Sequence, residues 1–432
     1  MGMCEKPELS DYFEKYWLTS TPGFGTIFSR NRYQLLRSFL HMNNNENGVA
    51  RGQPGYSPTF KVQPIIDMVQ DQYVKLYQAH REISVDEAML GFKGKLGIKQ
   101  YMQDKPTKWG IKLWCLCDSH TGFMMRWNVC AGAGDGTVSE TVRRLLTPDY
   151  LDRGYYLFCD NLYSSTTLFF ELKGRRTGTC GTLRSNRVGN PVAIQPAARG
   201  RRADAAARYP RVALKKGEDP IFFTKEGMLC VYWQDNGTVR MLSTIHGSRI
   251  LEKEVRERRA APDEARVVHK PEAVCEYNRY MGGVDKADQL RSYHSYERKC
   301  RKWYQVIWHF SIELALINGS ICYNLANPNE KMQSQKFHHF VIDSLTENLK
   351  NPDNLERRRN RTSGKHPLAR LTGRHFLAEN EDKKYRPDCT VCSDRKRARV
   401  QTTFYCKQCN VPLCKPPKDC FETYHTQLNY RH

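Results

Sequence analysis

The chain of 432 residues carries 68 Lys and Arg against 46 Asp and Glu, which gives a formal net charge of +22. Hydrophobic residues make up 40% and aromatic residues 11%, so a large core can form and a wholly disordered chain is excluded. No stretch approaches the roughly 18 uninterrupted apolar residues of a membrane span, and the first ten residues lack the apolar segment of a signal peptide. The positive excess indicates a polyanionic partner such as nucleic acid, and a charge that only maintains solubility is the alternative.

The first 80 residues are predicted to be helical. Apolar and aromatic residues recur at helical spacing in two runs, Tyr12 to Trp17 and Tyr33 to Leu40, and Ser29 is placed to cap the second run. A loop rich in Asn, Gly and Pro spans Asn43 to Ser57, and a third amphipathic helix follows around Ile65 to Tyr73. The chain begins close to a helical pattern, so we expect this N-terminal domain to lack an upstream segment.

From about residue 82 the pattern changes to that of an α/β protein. Short apolar or β-branched runs predict strands, and amphipathic runs between them predict helices. The predicted strands are Ile83–Asp86, Gly110–Asp118, Phe123–Val129 and Tyr155–Cys159, and the predicted helices are Ser139–Leu146 and Ser164–Lys173. This order indicates a core in which a sheet and helices pack together.

The second half of the chain interrupts this pattern and then resumes it. Residues 184–218 form a basic excursion with little apolar periodicity, and short strands follow around the turn Asp235-Asn236-Gly237. Residues 302–325 predict a long helix that is apolar around most of its circumference and is therefore buried. The basic segment 346–387, with the run Glu356–Arg361, is typical of a linker.

Four aspartates lie where an α/β protein gathers its functional groups. Asp86 and Asp160 end predicted strands, whereas Asp285 and Asp288 lie three residues apart in a helix that follows a Gly-Gly break. Carboxylates that met there would repel one another unless a cation held them, and their oxygens suit Mg²⁺ or Mn²⁺. A pair of such ions serves phosphodiester chemistry. The alternative is that these are ordinary surface aspartates, which are common at strand ends and in first helical turns.

The late cysteines have the spacing of a zinc-binding module. Two Cys-x2-Cys pairs are separated by thirteen residues and are followed by two more cysteines and a histidine. These seven ligand candidates are one short of two tetrahedral sites, and His375 is the candidate for the eighth. Disulfides are the alternative, which the lack of a signal peptide disfavours. The full set is His375, Cys389, Cys392, Cys406, Cys409, Cys414, Cys420 and His425.

Three blocks of the sequence resemble the catalytic blocks of the piggyBac transposases. The first is ISVDEAMLGFKG at 83–94, continued by KPTKWGIK at 105–112. The second is FCDNLYSS at 158–165, and the third is YNRYMGGVDKADQ at 277–289. The match runs in this order over nearly the whole chain, which is therefore identified as a member of that family.

The resemblance implies an α/β fold with an RNase H-like catalytic core, a β-rich insertion, a helical N-terminal domain and a small C-terminal cross-brace zinc domain. The implied boundaries are 1–80 for the N-terminal DNA-binding and dimerisation domain, 81–183 and 271–345 for the two parts of the core, 184–270 for the insertion, 346–387 for the linker and 388–432 for the zinc domain.

The resemblance also implies an activity. Asp86, Asp160 and Asp285 would be the catalytic aspartates that bind two Mg²⁺ or Mn²⁺ ions, with Asp288 supporting the site. The reaction would be nicking at a transposon end, attack by the freed 3′ hydroxyl through hairpinned ends, and integration at TTAA targets. The implied partners are the double-stranded DNA of the transposon ends and target and a second copy of the chain, in the nucleus and without a membrane.

In the family, the zinc domain reads the terminal DNA. Its cross-brace pattern implies that Cys389, Cys392 and Cys414 share one structural Zn²⁺ with His375, and that Cys406, Cys409, Cys420 and His425 share the second. The residues implied to contact DNA phosphates are Lys396, Arg397, Arg399 and Lys407. An ordinary solvated loop is the alternative for the basic run that holds the first three.

Two functions from different classes remain open. The first is an active, metal-dependent DNA transposase, which the complete set of four aspartates favours. The second is a domesticated transposase descendant that binds DNA or chromatin without moving DNA, which the expected lack of an upstream N-terminal segment favours. A pure DNA-binding protein has no need of carboxylates that face bound phosphates.

Overall fold

The computed structural model describes residues 4–103, 105–132, 136–195, 212–255, 266–293, 295, 300–347, 371, 374–394, 397–427 and 430. Residues 196–211 of the basic excursion, the run Glu356–Arg361 and Lys396 lie outside these residues. The chain divides into two compact units, one comprising Met1–Glu5 and Leu40–His338 and the other comprising Lys6–Phe39 and His339–His432. The finer domain boundaries stay predictions.

Within the described residues, the first unit is built on a nine-stranded mixed sheet. Its strands are β1 (Glu82–Gly91), β2 (Lys99–Tyr101), β3 (Trp109–Asp118), β4 (Met124–Val129), β5 (Tyr156–Cys159), β6 (Gly178–Thr182), β7 (Ile221–Lys225), β8 (Met228–Gln234) and β9 (Thr238–Ser243). The order is β2-β3-β1-β5-β6-β9-β8-β7, and β4 also pairs with β3. Strand β3 runs antiparallel to β1, whereas β5 and β6 run parallel to it.

The remaining strands form two smaller sheets. Strands β10 (Ile250–Val255) and β11 (Arg266–Pro271) form an antiparallel pair, and β12 (Leu377–Glu379), β13 (Phe404–Cys406) and β14 (Val411–Pro412) form a three-stranded sheet.

The described residues also form ten α-helices, which are divided between the two units. They are α1 (Pro22–Ile27), α2 (Arg30–Ser38), α3 (Gln63–Leu76), α4 (Val138–Leu145), α5 (Thr166–Gly174), α6 (Glu272–Tyr280), α7 (Gly283–Ser292), α8 (Trp303–Ala326), α9 (Ser334–Thr346) and α10 (Cys420–Thr426).

Strand β3 lies at the centre of the core. Every residue from Gly110 to Asp118 is buried, because β3 is paired on both edges and covered on both faces. This double burial explains why Leu113 to Cys117 read as a continuous apolar run and not as an alternating one. Gly110 has no space for a side chain, since a Cβ atom there would lie 2.0 Å from the carbonyl oxygen of Leu90 on β1.

One strand prediction needs correction. The strand expected to end at Asp86 continues to Gly91, because Glu87–Gly91 pair with Gly110–Trp114 of β3 and bury Ala88 and Leu90. Three strands of the predicted insertion continue the central sheet, since β9 pairs with β6 and leads through β8 to β7, whereas β10 and β11 pair with each other in a separate sheet.

The two N-terminal runs have different outcomes. The second is helix α2, and Ser29 caps it as predicted, its Oγ accepting a hydrogen bond from Arg32 N at 3.3 Å. The helix predicted for the first run is wrong: Ser10–Phe13 form a short 3-10 helix, and the next α-helix in the described chain is α1. Tyr16 and Trp17 remain 54% and 79% exposed, so these aromatic residues lack the burial that would stabilise a helix.

Helix α8 occupies the predicted position and packs into the core of the first unit. Phe310 meets Trp127 edge-on with ring centroids 5.1 Å apart, and the Asn318 side chain exchanges hydrogen bonds with the main chain of Met124. Among the described residues it is the one helix long and apolar enough to cross a membrane. Core helices of soluble proteins share that length and composition, so this is weak evidence for a span.

The carboxylate of Asp118, at the end of β3, ties the segment before β1 to the β3–β4 turn. It is fully buried and accepts hydrogen bonds from the main-chain N–H groups of His80, His120 and Thr121 at 2.7, 2.8 and 3.0 Å. Burial by itself would raise the pKa of Asp118, but the hydrogen bonds from His80 and Thr121 outweigh it and hold the pKa below its ordinary value.

We expect Asp118→Asn to lower the free energy of unfolding by at least about 2 kcal/mol, because an amide nitrogen would face N–H donors. The folded pKa lies below the unfolded value, so the stabilisation by the carboxylate is complete above the ordinary Asp pKa of about 3.9. It is lost as the pH falls through the folded pKa, and the two proteins should converge there. Urea unfolding at several pH values measures this, with the exposed Asp71→Asn on α3 as the control. Equal stability of Asp118→Asn and wild type at pH 7 would contradict the role of the carboxylate.

Candidate active site and metal-ligating module

Asp86 and Asp160 are brought together by the parallel pairing of β1 with β5. Val85 of β1 pairs with Cys159, the last residue of β5. The residues that follow, Asp86 and Asp160, therefore occupy neighbouring positions where β5 ends. Asp86 continues along β1 opposite Cys115 of β3, whereas the chain turns away after Asp160.

The turn after β5 fixes Asp160. Its Oδ1 accepts a hydrogen bond from Leu162 N at 2.7 Å, and its carbonyl oxygen accepts one from the Ser164 hydroxyl at 3.0 Å. On the neighbouring strand, a Cβ atom at Gly181 would lie 2.3 Å from Ser164 Oγ and 2.6 Å from the Cys159 carbonyl oxygen. A glycine at this position therefore lets the turn pack directly against β6.

Both acids lie where a negative charge is costly. Burial raises the pKa of Asp86, and the adjacent Glu87 adds to the shift while Lys105 opposes it. Burial is also the largest cause of the raised pKa of Asp160, and the charge of Glu87 adds to it. A bound cation would relieve this cost, and carboxylate oxygens are the donors that hard divalent cations prefer.

Helix α7 carries the other two aspartates and docks on the same strands. It begins at Gly283, with Gly282 as the N-cap, as the Gly-Gly break predicts. A Cβ atom at Gly283 would lie 2.3 Å from Ser84 Oγ and 3.1 Å from the Asp118 carbonyl oxygen, so glycine is what allows the close approach to β1 and β3.

The two aspartates of α7 differ in environment. Asp285 is exposed, whereas the side chain of Asp288 is 32% exposed and lies 3.6 Å from Arg291 Nε. After burial, the charges of Asp288 and then Asp86 are the main causes that raise the pKa of Cys115 on β3. Asp288 therefore lies near the part of the sheet that carries Asp86.

The structure assembles the predicted acid site in part. Asp86 and Asp160 are neighbours, Asp288 lies against the same strands, and Asp285 points to solvent. Among the described residues, the groups of three or more His, Cys, Asp or Glu side chains whose ligand atoms lie within 4.8 Å of one another do not include these aspartates. Their roles in metal binding and catalysis stay predictions.

A buried ion pair that the sequence pattern does not predict lies beside the acids. Glu87 and Lys112 are 7% and 8% exposed, and Lys112 Nζ lies 3.2 Å from Glu87 Oε1. The available signal was one charged residue, Lys112, inside an otherwise apolar strand, because such a residue requires a buried partner.

In the second unit, one group of metal-ligating side chains contains two cysteines and two histidines: His375, Cys406, Cys409 and His425. His375 Nδ1 lies 3.6 Å from Cys406 Sγ and 3.4 Å from Cys409 Sγ, and His425 Nε2 lies 3.5 Å from Cys409 Sγ. His425 Nδ1 donates to the Phe421 carbonyl oxygen at 2.7 Å, so Nε2 is the nitrogen that would bind a metal.

The second group contains four cysteines: Cys389, Cys392, Cys414 and Cys420. The sulfur atoms of Cys392 and Cys414 are 3.6 Å apart, well beyond the roughly 2.05 Å of a disulfide bond. Burial and the neighbouring cysteines raise the pKa of Cys414 and Cys420, since four adjacent thiols cannot all ionise without a cation. The donor set and spacing of both groups fit tetrahedral Zn²⁺.

The predicted division of these ligands between the two ions is wrong, because His375 and Cys420 change places. His375 joins Cys406, Cys409 and His425, while Cys420 joins Cys389, Cys392 and Cys414. The cause is strand β12, which lies within the predicted linker and pairs Leu377 with Cys406 of β13, so that His375 is held beside Cys406 and Cys409.

Three of the four residues predicted to bind DNA lie within the described chain. Arg397, Arg399 and Lys407 are exposed on the module, and Arg399 Nε lies 2.7 Å from Asp388 Oδ1. Lys396 is outside the described residues.

Known protein families match two stretches of the chain. A family model described as Transposase IS4 matches residues 1–320, and one described as DDE_Tnp_1-like zinc finger matches residues 370–426. The human PiggyBac transposable element-derived protein 3 is 24% identical over 421 residues, which are 92% of this chain and 63% of that protein. The human PiggyBac transposable element-derived protein 2 is 23% identical over 345 residues, which are 76% of this chain and 54% of that protein. The chain thus spans less than two thirds of either relative.

A solved structure shows the same fold. The cryo-EM structure of a piggyBac transposase synaptic complex with hairpin DNA matches with a TM-score of 0.63 and 22% identity, covering 90% of this chain and 78% of that chain.

We expect two zinc ions per chain, bound by the two groups of ligands. Elemental analysis gives the count, and cadmium-113 NMR of the substituted protein should give one four-sulfur and one two-sulfur, two-nitrogen resonance. Cys409→Ser should remove the second resonance alone, and Cys275→Ser on α6 should keep both. Two resonances of the same three-sulfur, one-nitrogen type would contradict the observed grouping.

Proposed function

Because the chain belongs to the piggyBac transposase family, we propose that it is a DNA transposase that cuts and joins strands at transposon ends with the help of divalent ions. The observation that carries this proposal is the neighbouring placement of Asp86 and Asp160, with helix α7 docked on the same strands. A protein that only bound DNA would gain nothing from two partly buried acids that lie side by side where β5 ends.

The topology supports an RNase H-like core. Strand β3 lies antiparallel to β1 on one side, and β5 and β6 lie parallel to it on the other. In such a core, acids on the first strand and after the first parallel neighbour face one active site. Asp86 and Asp160 hold these positions here.

In this mechanism Asp86 and Asp160 would hold the catalytic Mg²⁺ or Mn²⁺ ions, and α7 would supply a third acid from Asp285 or Asp288. When bound, such ions activate the attacking oxygen and stabilise the leaving oxygen of a phosphodiester. The protein's own contribution is orientation: the turn hydrogen bonds fix Asp160, and the contact of Gly283 with Ser84 fixes the start of α7.

We further propose that the zinc module holds the transposon end. Arg397, Arg399 and Lys407 are exposed and positively charged, and phosphate would compete with Asp388 for Arg399. The expected substrate is double-stranded DNA with TTAA targets, bound by a homodimer in the nucleus.

A domesticated descendant that binds DNA without moving it is the second candidate. Two observations favour it: the human relatives are named as transposable element-derived proteins, and the four aspartates do not converge into one group. The two candidates predict the same DNA binding and differ in strand cleavage.

A nicking assay on a transposon-end duplex with Mn²⁺ separates the candidates. We expect wild type to nick the duplex and Asp160→Asn to be at least about 100-fold slower, because a group that stabilises the transition state is lost. Both proteins should bind the duplex equally. Asp149→Asn, in the loop before β5, is the matched control and should keep the wild-type rate. If wild type binds but is as inert as Asp160→Asn, the transposase proposal fails and the domesticated function stands.

A further inference from the structure

The ion pair Glu87–Lys112 directly adjoins the candidate active site. Glu87 is the next residue after Asp86, and it lies opposite Trp114 in the pairing of β1 with β3. Its carboxylate is 3.2 Å from Lys112 Nζ, and both residues are more than nine-tenths buried. Lys112 Nζ also lies 3.8 Å from the centroid of the Trp114 ring, so the ammonium group is held from two sides.

A second cation holds the main chain at the same point. The half-buried Lys105, in the loop between β2 and β3, donates a hydrogen bond from Nζ to the Glu87 carbonyl oxygen at 2.9 Å. Glu87 is thus fixed through its side chain by Lys112 and through its main chain by Lys105. Asp86 shares this anchored segment, and its Oδ1 accepts a hydrogen bond from Glu87 N at 2.8 Å.

The same cluster reaches the other catalytic acid. Tyr163 lies in the turn that Asp160 caps, and its ring meets the Trp114 ring edge-on at 5.8 Å. The Tyr163 side chain is 1% exposed. The Trp114 ring thus contacts Tyr163 and also lies under Lys112 Nζ. The cluster therefore connects the β1 segment of Asp86 with the turn of Asp160.

Stability does not explain this ion pair. Two charges lose their hydration when they are buried, and an apolar pair of similar volume is often as stable or more stable. What the ion pair provides is a fixed geometry, because a charged hydrogen bond has a direction that apolar contacts lack.

We infer that Glu87 and Lys112 are positioning residues that hold Asp86, and through Trp114 and Tyr163 the Asp160 turn, in the arrangement that receives a divalent ion. This inference rests on the proposed function. It assigns to the ion pair a contribution to metal affinity in addition to that of the acids themselves. Residues that orient metal ligands typically change metal affinity by about 10- to 100-fold when they are replaced.

The test measures Mn²⁺ binding to the full, zinc-loaded chain by the electron paramagnetic resonance signal of free Mn²⁺, without DNA. Asp160→Asn defines the binding that belongs to the site. The double variant Glu87→Met/Lys112→Met leaves the net charge unchanged, and we expect its Mn²⁺ dissociation constant to rise about 10- to 100-fold. The matched control is Arg143→Met/Glu171→Met, which removes an exposed ion pair between α4 and α5 and should leave Mn²⁺ binding unchanged.

A single variant keeps the inference falsifiable if the double variant folds poorly. Lys112→Gln removes a positive charge, so simple electrostatics would tighten Mn²⁺ binding. Positioning by the ion pair predicts the opposite change, a weaker Mn²⁺ affinity, while the zinc content of the protein stays the same. An unchanged or tighter Mn²⁺ affinity in these variants overturns the inference. It is also overturned if wild type and Asp160→Asn bind Mn²⁺ equally well, because the site then holds no ion. Failure of wild type to nick DNA while this Mn²⁺ pattern holds would overturn the proposed activity and leave the positioning role supported.

Discussion

The parallel register between β1 and β5 is the constraint on which the candidate site depends. It sets Val85 beside Cys159, so the two residues that follow lie side by side whatever their side chains are. Because β5 ends at that point, Asp160 can cap a turn, whereas Asp86 stays in a strand that β3 pairs as far as Gly91. Helix α7 can approach the same strands only because Gly283 has no side chain. The sheet therefore decides which acids meet, and the acids themselves contribute no attraction.

Three cations near Asp86 and Asp160 bind other groups. Lys112 pairs with Glu87, Lys105 donates to the Glu87 carbonyl oxygen, and Arg184 donates from Nε to Asn161 Oδ1 at 2.7 Å. They hold the main chain and a supporting carboxylate, so the raised pKa of Asp86 and of Asp160 remains. An enzyme that uses divalent ions needs this arrangement, since acids neutralised by fixed cations would have little affinity for a metal. The proposed activity and the positioning role of the ion pair thus follow from the same distribution of charge.

The sequence predicted most helices and strands of the first unit, because their periodicity reflects burial that the fold does provide. It misplaced the end of β1, since Asp86-Glu87 is charged and the partner that makes Glu87 tolerable, Lys112, is distant in sequence. It also predicted a helix from Tyr12 to Trp17, where Tyr16 and Trp17 stay exposed and only the first part of the run, Ser10–Phe13, is helical, as a short 3-10 helix. The candidate functional residues could be identified from the sequence, because metal ligands and acids are recognisable by residue type and spacing. Which of them converge depends on register, which local sequence does not encode.

Helix α10 decides which of the zinc ligands share an ion. Cys420 and His425 are five residues apart on α10, and at 3.6 residues per turn their side chains point about 140° apart. Such a pair is poorly placed to grip one ion, so a helix prediction for this segment would have separated them. The structure does separate them, with Cys420 in the four-cysteine group and His425 beside Cys409. Each group combines ligands that are distant in sequence, and His375 and Cys389 at one end are joined to α10 at the other. Two interleaved ions would therefore close long loops in a segment whose described residues include few other buried side chains, which makes metal binding and folding of this module one event.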